Sequence, residues 1–266
     1  MLRQDFNVPI INILWQLVAG YRFTEEHKHG LEVVEAVNTI FSTGMKTFFF
    51  PLWFLKVFHY IHIIVFYPIY LFQLFPEYLG YNRKVNIIKE QKKFFMAEIK
   101  RHQETLDVLN PRDFIDVYLA AIESGENDAL TMEDLAVAIG DMFVAGTETS
   151  STTLKWTLLY LCLHQDVQDK CRDEIKHVLG TNERCKMSHL TSLPYTLATI
   201  TEIQRVARVA PSSLLHKTSS PTTIDGYSFP AKSVFAANLS HITHDPSIIK
   251  DPHYFNPQRW IGQNGR

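Results

Sequence analysis

The sequence predicts a mainly α-helical fold with a small β-sheet, and three observations carry that expectation. The run from Thr131 to Leu163 reads as one long helix with a capping signal at its start. Shorter stretches on both sides of it repeat apolar residues at helical spacing. After Pro211 the texture changes to short β-prone pieces separated by turns, Thr222–Ile224, Tyr227–Phe229 and Ser233–Ala236, with Asp225-Gly226 between the first two.

Bulk properties set the limits. The 266 residues are 46% hydrophobic and 20% charged, enough to bury a substantial core in one or two domains and unlike a disordered chain. The formal net charge of −2 comes without a basic stripe, which argues against nucleic acid as a partner. The three cysteines, Cys162, Cys171 and Cys185, are too few and too irregular for a disulfide framework, and none forms a C-x-x-C clip. A reducing compartment is the default. Met1-Leu2-Arg3-Gln4-Asp5-Phe6 does not lead into a secretory signal, and no N-terminal anchor is visible.

Residues 5–42 read as helical, with Ile10, Ile13, Leu14 and Leu17 recurring first and Glu32, Glu35 and Asn38 marking a wetter face further on. Residues 47–76, from the Phe48-Phe49-Phe50 run to Phe75-Pro76, contain only Lys56, His59 and His62 as ionisable groups. A membrane-spanning helix needs about 20 mainly apolar residues, so 57–75 has the length, although two histidines and Pro68 weaken that reading. The alternatives are buried core and an inserted stretch of translated non-coding sequence.

Lys84 to Glu104 has the pattern of a charged amphipathic helix, with Val85, Ile88, Phe95 and Ile99 opposite Lys89, Glu90, Lys92, Lys93 and Lys100. Asn110-Pro111-Arg112-Asp113 restarts a helix, with Pro111 suited to a first turn and Asp113 complementing the positive helix end. Ser124 to Asp128 is a polar loop. Thr131-Met132-Glu133-Asp134 then opens the long helix in the manner of a capping box. The next helix places Val167, Cys171, Ile175 and Val178 on one face and stops at Gly180. Pro194 opens a third helix that runs to about Arg208.

Gly146, followed by Thr147, Thr149, Ser150, Ser151, Thr152 and Thr153, is a poor local choice for a helix interior, since Gly costs about 1 kcal/mol relative to Ala. Small residues let a flat group approach the backbone, and a threonine hydroxyl bonded back to a preceding carbonyl can open the helix into a groove. A small-residue contact between helices is the plainer reading of the same residues. Glu202 and Arg205 are three apart and share a helix face, an arrangement that in isolation is most often a surface ion pair. His241 and His244 have no third ligand at recognisable spacing and read as non-metal.

Taken together, Ala145-Gly146-Thr147-Glu148-Thr149, then Glu202-Ile203-Gln204-Arg205, then Phe255-Asn256-Pro257-Gln258-Arg259-Trp260 resemble the cytochrome P450 family of haem-thiolate monooxygenases. That family carries A/G-G-x-x-T, E-x-x-R and P-x-R-F in this order. Asn12-Ile13 through Val18, Gly20, Arg22 and Phe23 also match a family stretch, as does Pro111-Arg112-Asp113-Phe114-Ile115-Asp116. The pattern is similar to microsomal, family-two members. It skips residues 45–69, which read as an insertion, a retained intron or a membrane-contacting segment within one partial P450 domain over 1–266.

The resemblance implies a partial P450 fold and a haem cofactor. It assigns Ala145 and Gly146 to the wall of an oxygen groove, Thr149 to the hydroxyl beside bound oxygen, and Glu148 to the acid of the proton relay. His216 takes a place on a haem propionate, and Ser212, Ser213, Leu214 and Leu215 line the substrate pocket. Glu202, Arg205 and Arg259 form a buried brace on the proximal side, with Trp260 replacing the commoner Phe. The implied activity inserts one oxygen atom from O2 into an apolar organic substrate. An NADPH-dependent reductase supplies electrons at the cytoplasmic face of the endoplasmic reticulum membrane.

The cysteine loop that ligates the iron lies outside this sequence, and none of the three cysteines has the F-x-x-G-x-x-x-C setting. The chain by itself is therefore expected to bind haem weakly and to be inactive. A non-enzymatic helical scaffold and a small membrane protein are the alternatives.

Overall fold

Helix α1, Asn7–Ala19, forms because Asn7, Ile11, Trp15 and Val18 fall on one face and bury together with Ile10 and Ala19. The computed structural model describes residues 6–24, 81–125, 129–180 and 183–262. Ile13 and Leu17 point outward, so the buried stripe differs from the one read from apolar spacing. Within the helical expectation over 5–42, residues 20–24 are not helical. Gly20, at φ +78°, ends α1 with its N–H on the Gln16 carbonyl, and the Phe23 N–H then donates to Asn12 Oδ1 at 2.8 Å. This bond turns the chain back along the helix it has just left. Residues 25–42, the suspected insertion at 45–69 and the candidate span at 57–75 lie outside the described residues.

Helix α2 is Tyr81–Gln103 and α3 is Phe114–Ser124. The α2 face that packs is Phe95, Glu98, Ile99 and His102, whereas Ile88 is exposed, contrary to the sequence pattern. Pro111 precedes α3 rather than opening it. Asp113 is the cap, accepting from the Asp116 N–H at 3.0 Å. Helix α4, Met132–Leu163, is the longest element among the described residues. Its start has the expected cap, with the Asp134 N–H on Thr131 Oγ1 at 3.1 Å and that hydroxyl donating to Asp134 Oδ2. Its body is not buried on all sides. Leu135, Ala136, Ile139, Phe143, Thr147 and Ser151 are covered, while Leu154, Leu158, Leu159 and Leu163 are exposed.

The chain divides into two compact units, Met1–Ser151 and Thr152–Arg266. In the first, the core draws on α1 to α3 and the first half of α4. Trp15 is its centre, stacked on Phe23 at 5.0 Å and on Phe94 at 5.3 Å, with Tyr21 edge-on and Phe143 tilted against it. A polar network ties the same elements. His102 lies 2.9 Å from the Glu98 carbonyl and 3.1 Å from Asp113 Oδ2, and Arg112 bonds both oxygens of the fully buried Asp116. The Arg112 guanidinium, then burial acting the other way, set the Asp116 carboxyl below its ordinary range, because the guanidinium prevails.

The second unit holds α5, Gln165–Leu179, a 3-10 helix at Met187–Ser192, and α6, Pro194–Ala207. On α5 only Val167 and Cys171 of the expected apolar face are buried, while Ile175 is exposed. Glu174 reaches across to the start of α6, accepting from the N–H groups of Tyr195 and Thr196 at 2.8 and 2.7 Å and from the Thr196 hydroxyl. Pro194 at that helix start has no N–H to satisfy, so the external carboxylate supplies acceptors for the next two donors.

The small sheet is two separate antiparallel pairs. Strand β1 (His216–Lys217) pairs with β4 (Val234–Phe235), and β2 (Thr222–Ile224) pairs with β3 (Tyr227–Phe229). The short helix α7, Leu239–Ile242, and a 3-10 helix at Pro257–Trp260 complete the second unit. No helix of the described residues is long and apolar enough to cross a membrane.

Helix α1 meets α4 at Gly146, where an added Cβ would lie 3.1 and 3.3 Å from the two methyl carbons of Leu14. Gly146→Ala gains about 1 kcal/mol of helix propensity and meets overpacking of about 1–3 kcal/mol. The substitution is therefore expected to be neutral to destabilising alone, and stabilising in a Leu14→Ala background. Chemical denaturation of the two single variants and the double variant measures the coupling; strict additivity would show that the helices do not meet there.

Candidate functional site

The α4 segment that carries Thr149 separates into two faces. Phe143, Thr147 and Ser151, four residues apart, are buried, while Ala145 and Thr149 share the exposed side. On that side the Thr149 hydroxyl donates to the Ala145 carbonyl at 2.7 Å, the back-bond that the small-residue run suggests. Gly146 is turned toward Leu14 of α1, so the two residues assigned together to a groove wall have different neighbours. The helical advance of about 100° per residue separates them. Glu148 is half-buried beside Thr149.

Glu202 on α6 is fully buried and accepts five hydrogen bonds. Its Oε1 receives Arg205 Nη2 at 2.8 Å, the Asn256 N–H at 2.9 Å and Arg259 Nε at 3.1 Å. Its Oε2 receives Arg205 Nε at 2.9 Å and the Trp260 indole N–H at 2.8 Å. Burial alone would raise the Glu202 carboxyl; the bonds from Arg205, Asn256 and Trp260 outweigh it and leave the group below its ordinary range.

Both arginines are themselves anchored. Arg205 Nη1 donates to the carbonyls of Pro252 at 2.6 Å and Thr243 at 3.1 Å. Arg259 Nη1 donates to the Lys250 carbonyl at 2.6 Å, and its Nη2 to those of Asp251 and Tyr254. The E-x-x-R spacing is legible in the sequence as a shared face. The contributions of Asn256, Trp260 and the Thr243 and Pro252 carbonyls are not, because they come from residues 38 to 58 positions away from Glu202 or Arg205.

The loop assigned to the substrate pocket is largely open. Ser212, Leu214 and Leu215 are exposed, while Ser213 is pinned to Ala237 through its N–H and through its hydroxyl, which accepts at 2.8 Å. His216 is exposed, with Nδ1 2.9 Å from the Leu214 carbonyl. These residues belong to the second unit and Thr149 to the first.

For a haem group, the open face of Ala145 and Thr149 offers small side chains and a hydroxyl, which fits a flat cofactor. The cysteines do not fit as its axial ligand. Cys171 is buried beside the Thr199 hydroxyl at 3.4 Å, and burial raises its thiol above the ordinary range, the opposite of a ready thiolate. Cys162 lies in the last turns of α4 and Cys185 in the segment before the 3-10 helix, both exposed.

Among the described residues, His102, Asp113 and Asp116 stand at metal-ligand separations, within 4.8 Å of one another. Their atoms are already engaged with one another, with Arg112 and with backbone groups. The cluster is a structural network that sequence reading missed, because His102 and Asp113 meet only when α2 and the α3 cap pack together. His241 and His244 belong to no such group.

Comparison with known proteins agrees with the motif order. The family model described as Cytochrome P450 matches residues 2–266. Cytochrome P450 2U1 of Bos taurus is 38% identical over 184 residues, 68% of this chain and 34% of its own length. The Mus musculus protein of that name is 33% identical over 97% of this chain and 46% of its own. Cytochrome P450 2L1 of Panulirus argus is 29% identical over 100% of this chain and 53% of its own. The chain thus spans about a third to a half of the length of these relatives. With the matched model covering nearly every residue and Glu202, Arg205 and Arg259 meeting as described, the chain belongs to the cytochrome P450 family and is of the family-two type.

Proposed function

We propose that this chain is part of a haem-dependent monooxygenase that inserts one atom of O2 into an apolar organic substrate, and that its two units are portions of one P450 domain. Electrons come from an NADPH-dependent reductase, at the cytoplasmic face of the endoplasmic reticulum membrane. The observation that supports the reading best is the Thr149 hydroxyl bonded to Ala145 on the open face of α4, within a chain that matches the family throughout. The haem, when bound, supplies the iron at which dioxygen is reduced.

The work of this chain's own residues is to hold and move protons and to brace the structure. Thr149 donates to the Ala145 carbonyl, which fixes the hydroxyl on the open face of α4 for a relay through water. A carboxylate one residue away, Glu148, can replenish that water with a proton, the role of a positioned acid. Glu202 holds no proton to give, since every group around it is a donor; with Arg205 and Arg259 it fixes the residue 243–260 segment against α6. Ser212 to Leu215 contribute an apolar, weakly polar lining, and His216 a donor for a carboxylate on the cofactor.

Because none of Cys162, Cys171 and Cys185 suits the axial position, the isolated chain is expected to bind haem weakly. Its reduced carbon-monoxide complex should lack the thiolate band; a full thiolate-type spectrum from the 266-residue chain would overturn this assignment.

In a full-length relative carrying this segment, Thr149→Ala should lower product formed per NADPH consumed while haem content stays intact. The step served by a positioned proton donor should slow about a hundredfold to ten-thousandfold. Glu202→Ala should instead abolish the haem-loaded protein, since breaking a buried ion pair costs about 3–5 kcal/mol. A coupled Thr149 variant, or a folded and haem-loaded Glu202 variant, would contradict the two roles.

A further inference from the structure

We propose that Trp260 is a positioning residue whose indole N–H keeps the Glu202 carboxylate ionised and in register with both arginines. Trp260 stands at the end of the 3-10 helix with its ring 40% exposed, yet its N–H points inward to Glu202 Oε2 at 2.8 Å. Burial of the ring does not account for that orientation. The hydrogen bond does.

The two carboxylate oxygens depend on Trp260 unequally. Oε1 has three donors, whereas Oε2 has Arg205 Nε and the indole alone. Neither arginine has a hand free to replace the indole. The remaining Nη1 of Arg205 is held by the carbonyls of Thr243 and Pro252, and Arg259 by those of Lys250, Asp251 and Tyr254. A phenylalanine at this position would leave one side of a buried carboxylate oxygen unsatisfied, a loss carried by a charged group.

The donor set is chemically one-sided. Guanidinium, backbone amide and indole N–H groups donate and do not accept, so a protonated Glu202 would find no acceptor among the five donor groups around it. The charged groups facing it are Arg205 from its own helix and Arg259 from the 3-10 helix. On the far side of Arg205 is His244, held below its ordinary range by burial, then by Arg208 and Arg205. That histidine is neutral at pH 7 and adds no charge to the site there.

Glu202 has its folded-state value depressed below that of an unfolded glutamate, about 4.3. Its stabilising contribution is therefore complete above that range and is lost as pH falls through the folded-state value. Removing one donor raises the folded-state value and moves that loss to higher pH. A packing role for the ring would instead give a penalty that does not depend on pH.

The test uses the full chain. At pH 7, Trp260→Phe is expected to raise the unfolding equilibrium constant about tenfold to a hundredfold, and this penalty should shrink as the pH is lowered. In the 15N-labelled wild-type chain, one of the four indole N–H resonances should titrate together with the Nε–H resonances of Arg205 and Arg259, or hold until acid unfolding removes all three at once. A penalty that is independent of pH, or below about twofold, overturns the assignment. Should Trp260→Phe not fold, the wild-type titration decides alone: an indole set that ignores the Arg205 and Arg259 transition overturns it.

Discussion

A carboxylate with no exposed surface must be surrounded by donors or it will not stay folded, and Glu202 imposes that requirement on the whole second unit. Its five hydrogen bonds come from four residues, one on α6 itself and three in the residue 256–260 region, and the arginines among them in turn satisfy backbone carbonyls between residues 243 and 254. A segment containing little regular structure is thereby fixed to a helix by charge-assisted bonds rather than by a large apolar core. The apolar cluster there is small, with Val167, Cys171, Ile203 and Phe255 buried. Once the chain is committed to a buried charge in this place, the position of the residue 252–260 segment is largely determined.

The first unit solves a related problem differently. Its centre is Trp15, packed among aromatic side chains, and a network of buried polar groups lies at the junction of α2 with the α3 cap. His102, Asp113, Asp116 and Arg112 satisfy one another, which lets α3 start at the edge of an apolar core without an orphaned carboxylate. The α4 segment with Thr149 is built on this scaffold: its covered side belongs to the core, and its open side presents Ala145 and Thr149. A candidate site residue carried on a long, capped helix is positioned more closely than one on a loop, and the exposed Ser212, Leu214 and Leu215 illustrate the contrast.

Much of the helix plan was legible in the sequence because caps and breakers act locally. Thr131 before α4, Pro194 at the start of α6 and Gly180 after α5 all stand where local chemistry requires them. Buried faces were less legible. Ile13, Leu17, Ile88 and Ile175 have apolar spacing but no covering element, since periodicity counts residues and not partners. Gly20 ends α1 inside a stretch that reads as helical, because a left-handed glycine stops the helix there whatever the apolar pattern. At the candidate site the motif spacings singled out Thr149, Glu202, Arg205 and Arg259, of which the last three meet, while the distant donors and acceptors that give Glu202 its environment carry no local signal. Trp260 is the instructive case: by composition it is a tolerable exchange of one aromatic residue for another, and only the fold shows that its nitrogen is used.

Amide hydrogen exchange at Asn256 addresses the central claim most directly, because its N–H ends on Glu202 Oε1 and lies outside any long helix. If the buried carboxylate holds the second unit together, this amide exchanges only through the opening that also releases the interior amides of α6, such as that of Ile203. Fast exchange at Asn256 while the α6 amides stay protected would show that the residue 252–260 segment opens by itself and that Glu202 does not govern the unit.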